Sequence, residues 1–233
     1  MDFKDYKAGQ KESGFWFKAK RDLIKRILKK INQRNLKILI VGCGTGDDIS
    51  LFKEYGEVYV LDINSKALNV ISEDCIKTVG DCCDLQYRDN YFDIVASFDV
   101  FEHIYNDNLA IQEVHRVLKK EGYLIFSVPA FPILYSSHDV ALEHERRYSK
   151  RDIKSLMSIF KKSCFYYWNF SLFIPIAISR LIKKNSKPMV DSVNFSKTFD
   201  KIFFRLLKFE NKLIANNIIN FPFGLSIWGI CRK

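Results

Sequence analysis

The pattern of apolar and polar positions divides the first half of the chain into short apolar runs separated by segments with helical spacing. Residues 36–41 (LKILIV) form a nearly continuous apolar run, which marks a strand buried on both faces of a sheet. Shorter runs predict further strands over 57–61, 76–79, 92–97 and 123–128. Residues 15–31, 47–54, 65–72, 100–104 and 107–118 read as helical. The first of these puts Phe17, Leu23, Ile24, Ile27, Leu28 and Ile31 on one face, and the last puts Leu109, Val114, Val117 and Leu118 inward. Strand and helix alternate five times, which demands parallel pairing with right-handed crossovers.

The second half is less regular. Residues 163–179 (SCFYYWNFSLFIPIAIS) carry no charge, but 17 residues fall short of the roughly 20 needed to span a bilayer, and Pro175 interrupts them. They divide into a buried sixth strand over 163–169 and a short apolar helix running into Arg180, Lys183 and Lys184. A linker over 184–196 leads to an amphipathic helix over 199–214, with Ile202, Phe203, Leu206, Leu207, Phe209 and Leu213 apolar, and the last strand lies over 223–231. The expectation is one domain over 1–233: a helical cover or lid over 1–35 with Trp16 and Phe17 near the ligand, a core over 36–170, a helical insertion over 171–220 and the last strand over 221–233.

Candidate chemistry begins where the first strand ends. Gly42, Gly44 and Gly46 permit a tight turn that leaves no side chain between backbone and ligand, so a nucleoside-type ligand is expected there. Asp47 and Asp48 follow in the first helical turn, where they would repel a pyrophosphate and favour a cationic ligand such as the sulfonium of S-adenosylmethionine. Asp62, with Ile63 beside it, ends the second predicted strand, where an acid accepts both ribose hydroxyls. Asp81 ends the third and can take an adenine amino group, with the backbone N–H of Cys82 facing a ring nitrogen. Cys43 and Thr45 complete the loop.

Composition narrows the setting. Lys and Arg number 37 against 27 Asp and Glu, a net charge of +10 that suits RNA, an anionic membrane or an acidic substrate, and equally a Lys-rich solvated surface. The six cysteines show neither a CxxC pair nor a zinc spacing, so reduced thiols in a cytoplasmic protein and no metal are expected. The opening MDFKDYKAGQKESG has no apolar leader segment.

The run VGCGTG at 41–46, VLDIN around Asp62, GDCCDL at 80–85 and YFDIVASFDVFEHI at 91–104, followed by EVHRVLKKEGYLIFSVP, resembles the class I S-adenosylmethionine-dependent methyltransferases, in particular their type 11 and type 12 small-molecule branch. The resemblance covers roughly residues 36–129. It implies a Rossmann-like, mostly parallel seven-stranded sheet with an antiparallel last strand beside the sixth, S-adenosylmethionine across the strand ends with S-adenosylhomocysteine as product, and Phe98 and Asp99 near the methionine part. The acceptor stays open, whether small-molecule or lipid- or saccharide-linked. Segment 138–157 (HDVALEHERRYSKRDIKSLM) resembles a variant loop and helix of bacterial and archaeal relatives, and follows Pro129 at the end of the fifth strand. His138, His144, Arg147 and Tyr148 are therefore acceptor-side candidates: a histidine as base, Arg147 as a bidentate anion grip. His103, directly after the fourth strand, is a rival base, and His115 reads as structural.

Three other readings share parts of this pattern. A nicotinamide-nucleotide oxidoreductase has the strand, the glycines and Asp62, but Asp47 and Asp48 oppose a pyrophosphate. An RNA methyltransferase suits the charge but lacks here an Asn/Asp-Pro-Pro-Tyr motif. A non-enzymatic cofactor sensor has the same cradle. The apolar helix near 171–180, flanked by bases, is expected either to cover the acceptor pocket or to rest peripherally on an anionic inner membrane face.

Overall fold

In the computed structural model, residues 14–184, 186–188 and 196–233 are described. Seven strands, β1 (Leu36–Val41), β2 (Gly56–Asp62), β3 (Ile76–Val79), β4 (Phe92–Phe98), β5 (Leu118–Pro129), β6 (Lys162–Trp168) and β7 (Ser226–Arg232), form one sheet in the order β3-β2-β1-β4-β5-β7-β6. The first five pair in parallel, while β7 runs antiparallel to both β5 and β6. The chain winds from β1 outward to β3, then returns to β4 on the other side of β1. This reversal opens a crevice above the carboxyl ends of β1 and β4, the place where doubly wound sheets bind ligands.

The apolar run of β1 is buried on both faces. Leu39 and Val41 pack toward one core with Val95, Val114 and Phe126, and Ile38 and Ile40 toward the other with Leu23, Ile24 and Trp228. The first core is covered by α4 (Asp107–Val117) and α6 (Lys150–Leu156), and the second by α1 (Phe15–Ile31), α2 (Ile49–Lys53) and α8 (Lys197–Ala215). Short helices α3 (Ser65–Val70), α5 (Ser137–Ala141) and α7 (Phe173–Ile182) complete the set.

Several boundaries differ from expectation for local reasons. The strand expected over 123–128 starts earlier: β5 begins at Leu118, directly after α4, and Phe92 pairs with Leu118 before the register shifts. The segment after β4 is a single 3-10 turn, Phe101–His103. On α4, Leu109 faces outward and Ala110 and Ile111 are buried instead. Most of the expected linker over 184–196 lies outside the described residues.

Helix α8 keeps Leu207 inward but turns much of its expected apolar set outward. Leu207, Glu210, Asn211 and Ile214 are buried, while Phe199, Ile202, Leu206 and Phe209 are exposed. Polar groups dictate this. Asn211 donates from Nδ2 to Ala19 O at 2.8 Å and accepts the Trp168 indole N–H at 2.8 Å, and Glu210 accepts the Phe170 and Ser171 amides at 2.9 and 3.2 Å. Buried side chains that satisfy backbone groups outweigh the gain from turning a few apolar ones inward.

Candidate active site

One cavity of about 1720 Å³ opens above β1 and β4. Drug-sized ligand pockets run at about 300–1,000 Å³, so this one has room for a donor and an acceptor together.

Its first end is built from strand termini. Gly42, Gly44 and Gly46 all have positive φ (65°, 52° and 85°). A Cβ at Gly42 would stand 2.3 Å from Val100 Cγ2, so both the turn and its packing exclude a side chain. Asp62 stabilises the loop from the neighbouring strand end: its Oδ2 accepts the Gly44 amide and its Oδ1 the Asn64 amide, each at 2.9 Å. Asp81 lines the cavity and accepts the Cys83 amide at 2.8 Å. Cys43, Ile63, Cys82, Phe98 and Asp99 also line it, whereas Thr45 turns its hydroxyl to Asp47 and is not among the wall residues. Burial pushes the Cys43 thiol up to about 12 and the Cys82 thiol higher, so both stay protonated. Asp99 sits at φ 57°, with its amide bonded to Ser127 O and its Oδ1 accepting the Ser127 hydroxyl at 2.9 Å.

Asp48, expected to favour a cationic ligand, is paired within the protein instead. Lys20, buried on α1, reaches Asp48 at 3.3 Å and lies 5.0 Å from the Phe98 ring centroid. Burial alone would lower the Lys20 pKa and raise that of Asp48, but their attraction wins in both, so the pair stays charged and Asp48 is largely neutralised. Sequence reasoning missed Lys20, although it falls on the same helical stripe as Leu23, Ile24 and Ile27.

The second end is assembled from distant segments. Asp139, fully buried on α5, is the hub: its Oδ1 accepts Arg147 Nε at 2.8 Å and meets His144 Nδ1 at 2.9 Å, while its Oδ2 accepts the Ser136 amide at 2.9 Å and lies 3.4 Å from Arg180. Burial would raise this carboxyl, but His144, Arg147 and Arg180 hold it well below the usual range. With Nδ1 donating to Asp139, His144 keeps a lone pair on Nε2. The His103 and His144 rings meet edge to face at 4.7 Å. Glu102, His103, His138, His144 and Arg147 all line the cavity.

Two acceptor-side candidates, Tyr148 and Arg147, are engaged by internal bonds. Tyr148 is buried away from the cavity wall, and its hydroxyl lies 2.9 Å from Phe101 O and from Asp107 Oδ2, so it ties the 3-10 turn to α4. Arg147 spends Nε on Asp139 and Nη1 on Ala130 O at 3.1 Å, so it shapes the site rather than offering a bidentate grip. His115 packs on Phe160, as a structural residue should.

A doubly wound sheet with a glycine turn and an acid at each neighbouring strand end defines a nucleoside-cofactor fold. Residues 39–126 match the methyltransferase domain family. An uncharacterised protein of Methanocaldococcus jannaschii is 35% identical over 106 residues, covering 45% of this chain and 46% of that protein. Demethylmenaquinone methyltransferase of Staphylococcus aureus is 34% identical over 123 residues, covering 47% and 51%. The chain thus spans about half the length of these curated relatives. A SAM-dependent methyltransferase structure from Thermotoga maritima superposes with a TM-score of 0.61 at 15% identity, covering 94% of this chain and 90% of that one, a likeness of fold. Over residues 39–126 the chain is thus similar to the class I S-adenosylmethionine-dependent methyltransferases, and its fold is theirs. Its residues fit that cofactor, because Gly42 leaves no room for a side chain and Asp62 and Asp81 offer acceptors on adjacent strand ends.

Proposed function

We propose that this protein transfers the methyl group of S-adenosylmethionine to an oxygen, nitrogen or carbon nucleophile of a small-molecule or lipid-linked acceptor. The observation that carries this reading is that the nucleoside cradle and the Asp139-backed histidine cluster wall a single cavity. The bound cofactor supplies an electrophilic methyl group. Asp62 and Asp81 hold its nucleoside, the loop over 42–46 admits its amino-acid end, and Phe98 and Asp99 lie beside it. His144 takes the acceptor proton on Nε2 while Asp139 fixes its tautomer, with His103 and His138 as alternatives on the same wall. Alignment of the two reactants is worth up to ~7–11 kcal/mol, and a base adds about 10²–10⁴-fold.

The demethylmenaquinone methyltransferase relative supports a small-molecule acceptor over RNA. A lipid-linked one is favoured by Ile174, Ile178, Leu181 and Ile182 of α7 and Phe199, Ile202, Leu206 and Phe209 of α8, all exposed, with Lys201, Arg205 and Lys208 interleaved. No helix among the described residues is long and apolar enough to cross a membrane, so this surface suits peripheral contact with anionic lipid.

The test is transfer of labelled methyl to fractionated lipids, polar metabolites and RNA. Label in a lipid or metabolite fraction supports the reading; label confined to RNA, or none in any fraction, sinks it.

A further inference from the structure

We infer that Glu102, His103 and His144 are the ligand set of a divalent transition-metal ion at the acceptor end of the cavity. The inference rests on reading that end as the acceptor site, and concerns how the acceptor is activated there.

Three observations lead to it. Each of the three side chains offers one ligand atom, and these atoms lie within 4.8 Å of one another. A tetrahedral site with bonds of about 2.0–2.2 Å sets its ligand atoms about 3.4 Å apart, so closing around a cation asks for at most about 1.4 Å, within the reach of side-chain rotation. Next, Glu102 is completely buried and neither carboxylate oxygen has a hydrogen-bond partner among the described residues. A carboxyl left in that state is costly unless something binds it, and no basic side chain is bonded to it. Finally, His144 is oriented as a metal-bound histidine is. Its Nδ1 faces Asp139 at 2.9 Å, which fixes the tautomer and leaves the Nε2 lone pair outward.

The donor set narrows the ion. Two imidazoles and one carboxylate suit zinc, iron(II), cobalt or manganese better than calcium, which takes oxygen ligands alone. Three protein ligands leave a coordination position for an acceptor oxygen. Held there, a hydroxyl gives up its proton to solvent and stays as the anion; the oxygen–carbon bond then forms as the sulfur–carbon bond of the donor breaks, the sulfur keeping the electron pair. His144 cannot be ligand and free base at once, so metal loading decides between the two roles.

The full chain, stripped with a chelator, is titrated with cobalt(II) and followed by visible absorption, with zinc(II) binding measured by calorimetry. One ion per chain is expected, with four- or five-coordinate cobalt bands and no thiolate charge-transfer band. Glu102→Gln, which keeps shape and removes the carboxyl ligand, should weaken binding at least 100-fold, and Asp139→Asn about 10–100-fold. No cobalt spectrum in the wild type, thiolate bands, or equal affinity in Glu102→Gln would overturn the inference. S-adenosylmethionine affinity is measured on the same stripped samples: if it is retained while cobalt binding fails, the metal site alone is wrong, whereas its loss would strike the proposed function instead.

Discussion

The two ends of the cavity are built differently. The donor end uses backbone turns and acids within a few residues of a strand end, so each part is local: Gly42 to Gly46 follow β1, Asp62 closes β2 and Asp81 follows β3. The acceptor end joins Glu102 and His103 to His144 through contacts between segments about forty residues apart, with His144 held by Asp139. A local device tolerates change elsewhere in the fold, whereas a hub fails as a unit.

The sharpest way to break this contrast is at the hub. His144→Ala should lower kcat about 10²–10⁴-fold with little change in S-adenosylmethionine affinity, and His103→Ala should cost less; wild-type turnover in both variants would show that the cluster does no chemistry. Asp48→Asn tests the donor end through stability, since it leaves the Lys20 cation buried at a cost of about 3–5 kcal/mol in urea unfolding. The pH dependence has a definite sign. Asp48 is depressed in the folded state, so its contribution is present above pH ~4 and lost as pH falls through the lower folded value; Lys20 is raised, so its contribution is present below pH ~10.4 and lost as pH rises beyond that. The gap between wild type and Asp48→Asn should therefore shrink on acidification below about pH 4.

Asp62→Ala removes one charge-assisted bond from Gly44 of the loop and one from Asn64, each worth about 1.5–3 kcal/mol, and should weaken S-adenosylmethionine binding about 100-fold by calorimetry while leaving acceptor KM unchanged. Tyr148→Phe should cost about 1–2 kcal/mol of stability and leave cofactor affinity alone, because its hydroxyl anchors a turn and not a ligand. The smallest effect belongs to Phe209→Glu on exposed α8: within about ±0.5 kcal/mol in stability, but with loss of co-sedimentation with anionic vesicles if that face meets lipid.

The strands β1 to β5 and the residues that line the donor end were legible because those strands carry short apolar runs, most of them with glycine or acid at or just beyond their ends. Helix α8 was legible as a helix but misread in orientation, since Glu210 and Asn211 outbid Phe209 and Leu206 only once β6 and α1 supply their partners. Lys20 was hidden by its type, a charged residue on a stripe otherwise apolar. Arg147 and Tyr148 stood out as functional residue types, yet both serve internal bonds.

What the sequence by itself determined is the period of its apolar residues and the conformational freedom of its glycines, properties carried by each short stretch and fixed by sterics and burial. Only the tertiary structure decided which of its buried polar groups face one another. Asp139 meeting His144 and Arg147, Lys20 meeting Asp48, and the Glu102 carboxyl sealed in without a hydrogen-bond partner among the described residues depend on separations that no local pattern encodes, because a hydrogen bond is felt over about 3 Å and the chain must fold before those atoms are near.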